Sequence, residues 1–108
     1  MPISSYFQGE RCQLRIDGPL TIYEANESKA HLLQELGLAR EMEVDLAGVS
    51  EFDTAGVQLL LLLKREAARH GKAIGFHGHS RAVLQVIDLY NMAGVFGDPL
   101  VLSDGERP

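Results

Sequence analysis

The rhythm of apolar and polar residues changes several times along the chain, and each change predicts an element. A short strand is expected around Ile3 to Phe7. Cys12, Leu14 and Ile16 then alternate with Arg11, Gln13, Arg15 and Asp17, the period of a half-buried strand. Gly18-Pro19 predicts a turn, with Leu20 and Ile22 extending a second short strand. Ala25, Lys29, Leu32, Leu33 and Leu36 share one helical stripe, which predicts a helix near 23–36 stopped by Gly37. Glu24, Glu27, His31 and Glu35 fall on its outer face. Val44, Leu46 and Val49 mark a strand over 43–49 that breaks into a polar turn at Ser50 and Glu51.

Beyond that turn the period becomes helical. Asp53 is placed as an N-cap, with Thr54 the first residue of a helix near 54–70 that Gly71 closes. Leu59 to Leu63 are five successive leucines, which at about 100° per residue wrap the whole circumference. One face meets the sheet, and Leu59 or Leu63 is expected to turn toward neighbouring helices. Lys72 to His77 supply another strand, with Ile74 and Phe76 on one side. Ser80 caps a third helix near 80–91, with Val83, Val86, Ile87 and Tyr90 as its apolar stripe. Pro99 to Leu102 predict a last short strand, and Asp104 to Pro108 a polar tail. Strands alternating with helices define an α/β fold, and the antiparallel-looking start predicts a mixed sheet of four to five strands covered by three to four helices. The 108 residues suit one domain, with its core over about 10–102.

Charge and composition remove several classes of function. The formal net charge is −5, and no basic cluster exceeds Lys64-Arg65, which argues against nucleic acid and against anionic membrane surfaces. The leucine run is too short to span a bilayer, and the N-terminus lacks the pattern of a secretion signal. Cys12 is the sole cysteine, which suits a cytoplasmic protein and reads as a small core residue. His77 and His79 fall on one face of a strand end, but His31 and His70 are distant and no metal-ligand framework is present. Glycines 75, 78, 94 and 97 fall at element ends, and no Gly-x-Gly-x-x-Gly or Walker sequence occurs, so no cofactor is implied. No nucleophile has a base nearby in the pattern, and the chain reads as a non-enzymatic module.

What remains is the segment from Ser50 to Gln58. A hydroxyl at a helix start sits near unpaired N–H groups and the positive end of the helix dipole, which favours negative charge, including a phosphate on Thr54. The same hydroxyl also suits plain capping. Gly56, in the first turn, suits close packing on the preceding strand or the approach of a partner's backbone. Ser50, Glu51, Asp53, Thr54, Ala55, Gly56, Val57 and Gln58 are the candidate partner contacts.

These residues carry a family resemblance. Leu14-Arg15-Ile16-Asp17-Gly18-Pro19-Leu20, Val44-Asp45-Leu46-Ala47-Gly48-Val49, Asp53-Thr54-Ala55-Gly56, the Gly71-Lys72 strand entry and Leu89-Tyr90-Asn91-Met92 resemble the STAS domain. That fold is shared by bacterial anti-sigma factor antagonists and the cytoplasmic tails of sulfate transporters. The resemblance implies an STAS-like fold and a bacterial signalling module. It would bind an anti-sigma factor or serine/threonine kinase-like partner and be switched by phosphorylation at Thr54. Two departures stand out: threonine occupies a position often held by serine, and Ala55 replaces a residue that is often hydroxylated. The Thr-Ala pair is also similar to the small STAS subunit of bacterial lipid-transport ABC complexes, which docks on the ATPase, and single-domain STAS proteins accompany chemotaxis systems. An exposed strand edge or a leucine patch would allow a homo-oligomer.

Overall fold

A computed structural model describes residues 3–89. The elements run β1 (Ile3–Gln8), β2 (Arg11–Leu20), α1 (Ile22–Leu38), β3 (Glu41–Phe52), α2 (Thr54–Arg69), β4 (Ala73–His77) and α3 (Arg81–Leu89). The sheet order is β1-β2-β3-β4. β1 and β2 form an antiparallel hairpin, and β2, β3 and β4 are parallel. Parallel neighbours need crossovers, and α1 and α2 supply them. The fold is therefore the mixed α/β arrangement that the alternating periods predict.

The inner face of the sheet follows from alternation. Cys12, Leu14 and Ile16 on β2, Met42, Val44 and Leu46 on β3, and Phe76 on β4 are buried. They meet Ala25, Leu32 and Leu36 from α1, Leu60, Leu63 and Ala67 from α2, and Val83 and Ile87 from α3 in one cluster. Each large aliphatic side chain so buried contributes roughly 1.5–3 kcal/mol. The outer face is charged: Arg11 pairs with Glu41 at 3.2 Å, and Arg15 reaches Asp45 at 3.0 Å and Asp17 at 2.9 Å. Such exposed pairs are each worth about 0–1 kcal/mol, so burial on the other face holds the sheet.

The structure corrects several local expectations. Gly18-Pro19 is no turn: β2 runs through it to Leu20, and Ile22 opens α1. The ladder shifts register twice, between Arg15 and Asp17 and between Gly18 and Pro19, and Gly18 takes φ +88° there. Pro19 lies beyond the pair Ile3 with Ile16, where β2 has no second strand partner among the described residues, a place that tolerates a residue without an N–H. Ser50 and Glu51 likewise belong to β3, which continues to Phe52. The shifts add residues to β3, so Leu46, Val49 and Phe52 turn inward at intervals of three and the polar pair stays outside.

Gly37 does not stop α1, which runs on to Leu38; the Lys72 ammonium reaches the Gly37 and Ala39 carbonyls at its end. Ser28 is buried on the α1 stripe, while Lys29 is exposed and Leu33 only half-buried. Leu59 is buried toward α1, as expected of a leucine turned to a neighbouring helix, and Leu63 is buried too, while Leu61 and Leu62 lie half-buried. Gly71 follows α2 at φ +68°, and Ser80 Oγ accepts the Val83 amide at 3.2 Å, as the helix-end signals predict. His77 and His79 do not share a face. Gly78, at φ +67°, breaks the alternation after β4, leaving His77 half-buried opposite Asp45 and turning His79 inward. The expected strand at 99–102, the tail after it and the helix end beyond Leu89 lie outside the described residues.

Candidate functional site

The pairing of Leu20 with Phe52 brings the C-terminal ends of β2 and β3 together, and a helix starts immediately after each. Two helix N-termini therefore stand side by side at one edge of the sheet. In open α/β folds that edge, beyond the carboxyl ends of the strands, is where function concentrates.

Both N-termini carry their own carboxylate. At α1, Glu24 Oε1 accepts from the Thr21 amide at 3.0 Å and the Thr21 hydroxyl at 2.6 Å. The Thr21 hydroxyl, followed by its amide, holds the Glu24 carboxyl below its ordinary range. At α2, Asp53 Oδ1 accepts from the Ala55 amide at 2.9 Å and the Gly56 amide at 3.2 Å. Val57 N–H closes the first turn onto the Asp53 carbonyl at 3.1 Å. The positive helix ends are thus already countered by fixed charge. This differs from the sequence picture of open amides converging on Thr54: two of them are committed to Asp53.

Around that cap the candidate contacts divide. Ser50, Glu51, Thr54 and Gln58 are exposed, and Asp53 and Ala55 are half-buried. Gly56 and Val57 are buried beneath them. Gly56 is there for packing: a Cβ on it would stand 2.6 Å from the Leu20 carbonyl oxygen and 2.6 Å from the Phe52 ring. The α2 backbone consequently lies directly on the end of β2, and Thr54 is carried outward on a pinned turn.

From Ala55 a groove of about 620 Å³ runs between α1 and α2. Its walls include Ile22, Leu61 and Leu62, with Lys29 and Arg65 at its sides. Sequence reading missed this feature because Ile22 was assigned to a strand and the leucine run, which wraps the helix, singled out Leu59 or Leu63 and not Leu61 and Leu62. The signal that would have found it is the residue spacing of Leu61, Leu62 and Arg65 on one side of α2, away from the Leu60–Leu63–Ala67 stripe.

This architecture, a mixed sheet with a capped helix start displaying a hydroxyl, defines a STAS-type fold. Residues 3–102 match the family described as “Mlab, STAS domain”, and the chain belongs to that family. Among solved structures, the fold is similar to the anti-sigma factor antagonist SpoIIAA in its unphosphorylated form, with TM-score 0.72, 16% identity, and coverage of 87% of this chain and 84% of that one. SpoIIAA in its phosphorylated form, a Bacillus cell fate determinant, gives TM-score 0.67 at 18% identity, covering 87% and 86%. An anti-sigma factor antagonist from Mycobacterium paratuberculosis gives TM-score 0.75 at 16% identity, covering 94% and 89%. At these identities the likeness is one of fold. No curated protein matches the sequence. No helix among the described residues is long and apolar enough to cross a membrane.

Proposed function

We propose that the chain is an anti-sigma factor antagonist-like docking module, non-enzymatic and cytoplasmic, whose contact surface is the start of α2. Thr54 is its centre, flanked by Ser50, Glu51 and Gln58. The observation that carries this reading is the exposure of Thr54 on a turn fixed from below by Gly56 and by the Asp53 cap. A partner meets a surface that is already ordered, so little conformational entropy is lost on docking.

Phosphorylation at Thr54 acts on that surface as an off-switch. A phosphate brings about 1.5–2 negative charges and three acceptor oxygens. It would stand next to Asp53, whose carboxylate already holds the Ala55 and Gly56 amides. The charge therefore meets repulsion where free amides would have stabilised it, and it remains projecting into the partner interface. The partner of this reading is an anti-sigma factor or a serine/threonine kinase-like protein.

A second reading is favoured by the family description, which names Mlab, and by the Thr54-Ala55 pair. There the same corner docks permanently on an ABC ATPase and Thr54 is a contact with no switching role. One experiment separates the two. Extracts of the source cells are passed over the wild-type chain and over Thr54→Val and Thr54→Glu. Captured proteins are quantified by mass spectrometry, and Thr54 is checked for phosphate in chain isolated from cells. The switch reading expects phosphate on Thr54 and a partner held by wild type but lost at least about tenfold with Thr54→Glu. An ATPase that copurifies regardless of phosphatase treatment selects the second reading. Capture of the same proteins, in equal amount, by all three chains refutes a docking role for this corner.

A further inference from the structure

The cations of this acidic chain are unevenly committed. Arg11, Arg15, Arg40 and Arg69 pair with carboxylates, and Lys72 with backbone carbonyls. Lys29, Lys64, Arg65 and Arg81 hold no ion pair among the described residues. Three of those four gather on one feature. Lys29 and Arg65 flank the α1–α2 groove, and Lys64 joins Arg65, Leu61 and Ala68 around the depression that continues it along α2. Among the described residues, no Asp or Glu lines either hollow.

Hydrocarbon faces water at the same place, beside the polar side chains of Asn26 and Gln58. Ala25 and Ala55 keep the groove open, while Ile22, 53% exposed, and the half-buried Leu61 and Leu62 leave hydrocarbon in contact with water. From Ala55 to Ala68 the feature follows α2 for about 20 Å, the length of roughly 13 helical residues. A groove between two helices with exposed hydrocarbon on its walls, edged by cations that hold no ion pair among the described residues, matches one occupant well: a helix with an apolar stripe and carboxylates along its borders.

We propose that the α1–α2 groove receives an acidic amphipathic helix of a protein partner. Apolar side chains of that helix would cover Ile22, Leu61 and Leu62, and its carboxylates would meet Lys29, Lys64 and Arg65. The inference rests on reading the α2 start as a docking surface, and it extends that surface by naming the chemistry of the docked segment. It also explains how Thr54 is read: the groove opens beside Ala55, so a docked helix would end against the Thr54 corner, where added negative charge repels it. Anionic lipid is the competing occupant. The net charge of −5 and the concave shape disfavour it, because a flat anionic surface would meet the acidic remainder of the molecule as well as the three cations.

The test uses the full chain and fluorescein-labelled helical peptides of about 18 residues, with Leu on one face and either Glu or Lys along its borders. Fluorescence anisotropy is expected to show saturable micromolar binding of Glu-bordered peptides and none of Lys-bordered ones. Raising the salt from about 50 to about 300 mM should weaken binding severalfold. The double variant Lys29→Glu/Arg65→Glu, whose fold is checked by circular dichroism, should lose at least about tenfold for the acidic helix and gain binding of the basic one. Both side chains are exposed, so the variant should fold. Equal binding of the two peptide types, no binding of any Glu-bordered peptide at about 100 µM, or charge-dependent binding to phosphatidylglycerol vesicles in place of the peptides overturns the proposal. Loss of the peptide result with Thr54-dependent capture intact removes the groove and leaves the docking corner. The reverse outcome removes the corner and leaves the groove.

Discussion

Substituting alanine for glycine in a helix ordinarily stabilises it, and two glycines here should respond with opposite signs. Gly37 lies in the last turn of α1, exposed, and a Cβ built on it meets nothing within 4 Å. Gly37→Ala should therefore gain about 0.5 kcal/mol from the lost backbone freedom of the unfolded chain. Gly56 lies in the first turn of α2, where the same substitution gains at most about 1 kcal/mol in propensity. Its Cβ, however, would stand 2.6 Å from the Leu20 carbonyl oxygen and 2.6 Å from Phe52 Cε1. Leu20 and Phe52 are partners in the β2–β3 ladder, so the carbonyl cannot retreat without breaking the register. Overpacking of this kind costs about 1–3 kcal/mol, and because one clashing atom is backbone the upper end applies. Gly56→Ala should thus lose about 2 kcal/mol net, and at about 4–8 °C per kcal/mol for domains near this size its midpoint should fall by about 8 °C or more. Urea unfolding followed by circular dichroism measures both variants against wild type. If Gly56→Ala is as stable as Gly37→Ala, α2 does not rest on the end of β2 as described, and the account of why Thr54 is held outward fails with it.

Three further outcomes are expected. Asp53→Ala should cost about 1 kcal/mol in urea unfolding, while Asp53→Asn and Asp53→Ser retain most of the stability because each still offers an oxygen to the Ala55 and Gly56 amides; equal loss in all three would contradict the cap. His79 is buried, neither ring nitrogen has a hydrogen-bond partner among the described residues, and burial, followed by the neighbouring His77, pushes its pKa down. Below the ordinary value of about 6.5 the unfolded chain takes up a proton that the folded chain resists, so stability should fall as the pH drops from about 7.5 to about 5, at up to about 1.4 kcal/mol per pH unit. His79→Leu should flatten that slope, and an unchanged slope would assign it to other groups. Cys12 is fully buried, and burial, with the Glu35 charge second, pushes its thiol up, so a disulfide-exchange reagent at pH 8 should modify the native chain at least about 100-fold more slowly than the urea-unfolded chain.

The two ends of α2 and the start of α3 were legible in the sequence because they are set by single residues with a local mechanism, whereas both ends of α1 were not. Asp53, Ser80 and Gly71 each act within a turn, and each does what its chemistry predicts. The alternation of Cys12, Leu14 and Ile16 is equally local. The ends of β2 and β3 were not legible, since their length depends on a partner strand. Gly18-Pro19 and Ser50-Glu51 have turn composition, and only the register shifts of the β2–β3 ladder keep them extended. The leucine run hid its direction for a related reason. Five identical side chains carry no phase, and the phase of α2 is set by Gly56 resting on Leu20 and Phe52, which puts Leu60, Leu63 and Ala67 on the sheet and leaves Leu61 and Leu62 toward α1. Of the candidate contacts, the exposed ones follow from polarity. Gly56 suits close packing on the preceding strand as well as a partner's approach, and packing takes both it and Val57 inside.

Rigidity and charge then combine at the α2 start in a way that bears on control. A loop that orders on phosphorylation needs free donors for the new oxygens, usually arginines or open amides. Here the amides are bound to Asp53, and the nearby carboxylates Asp53 and Glu51 oppose a further anion. Modification of Thr54 would therefore not build a new structure within this chain. It would change what an already formed surface presents, and its effect would be felt as a lost interface rather than as a refolded corner. The cations that hold no ion pair among the described residues sit farther along the groove, at Lys29, Lys64 and Arg65, and these are left for a partner's carboxylates. Attraction along the groove and repulsion at its mouth can then be tuned separately, so that removing the groove charges should weaken docking in both the modified and unmodified states, whereas Thr54→Val should abolish only the difference between them.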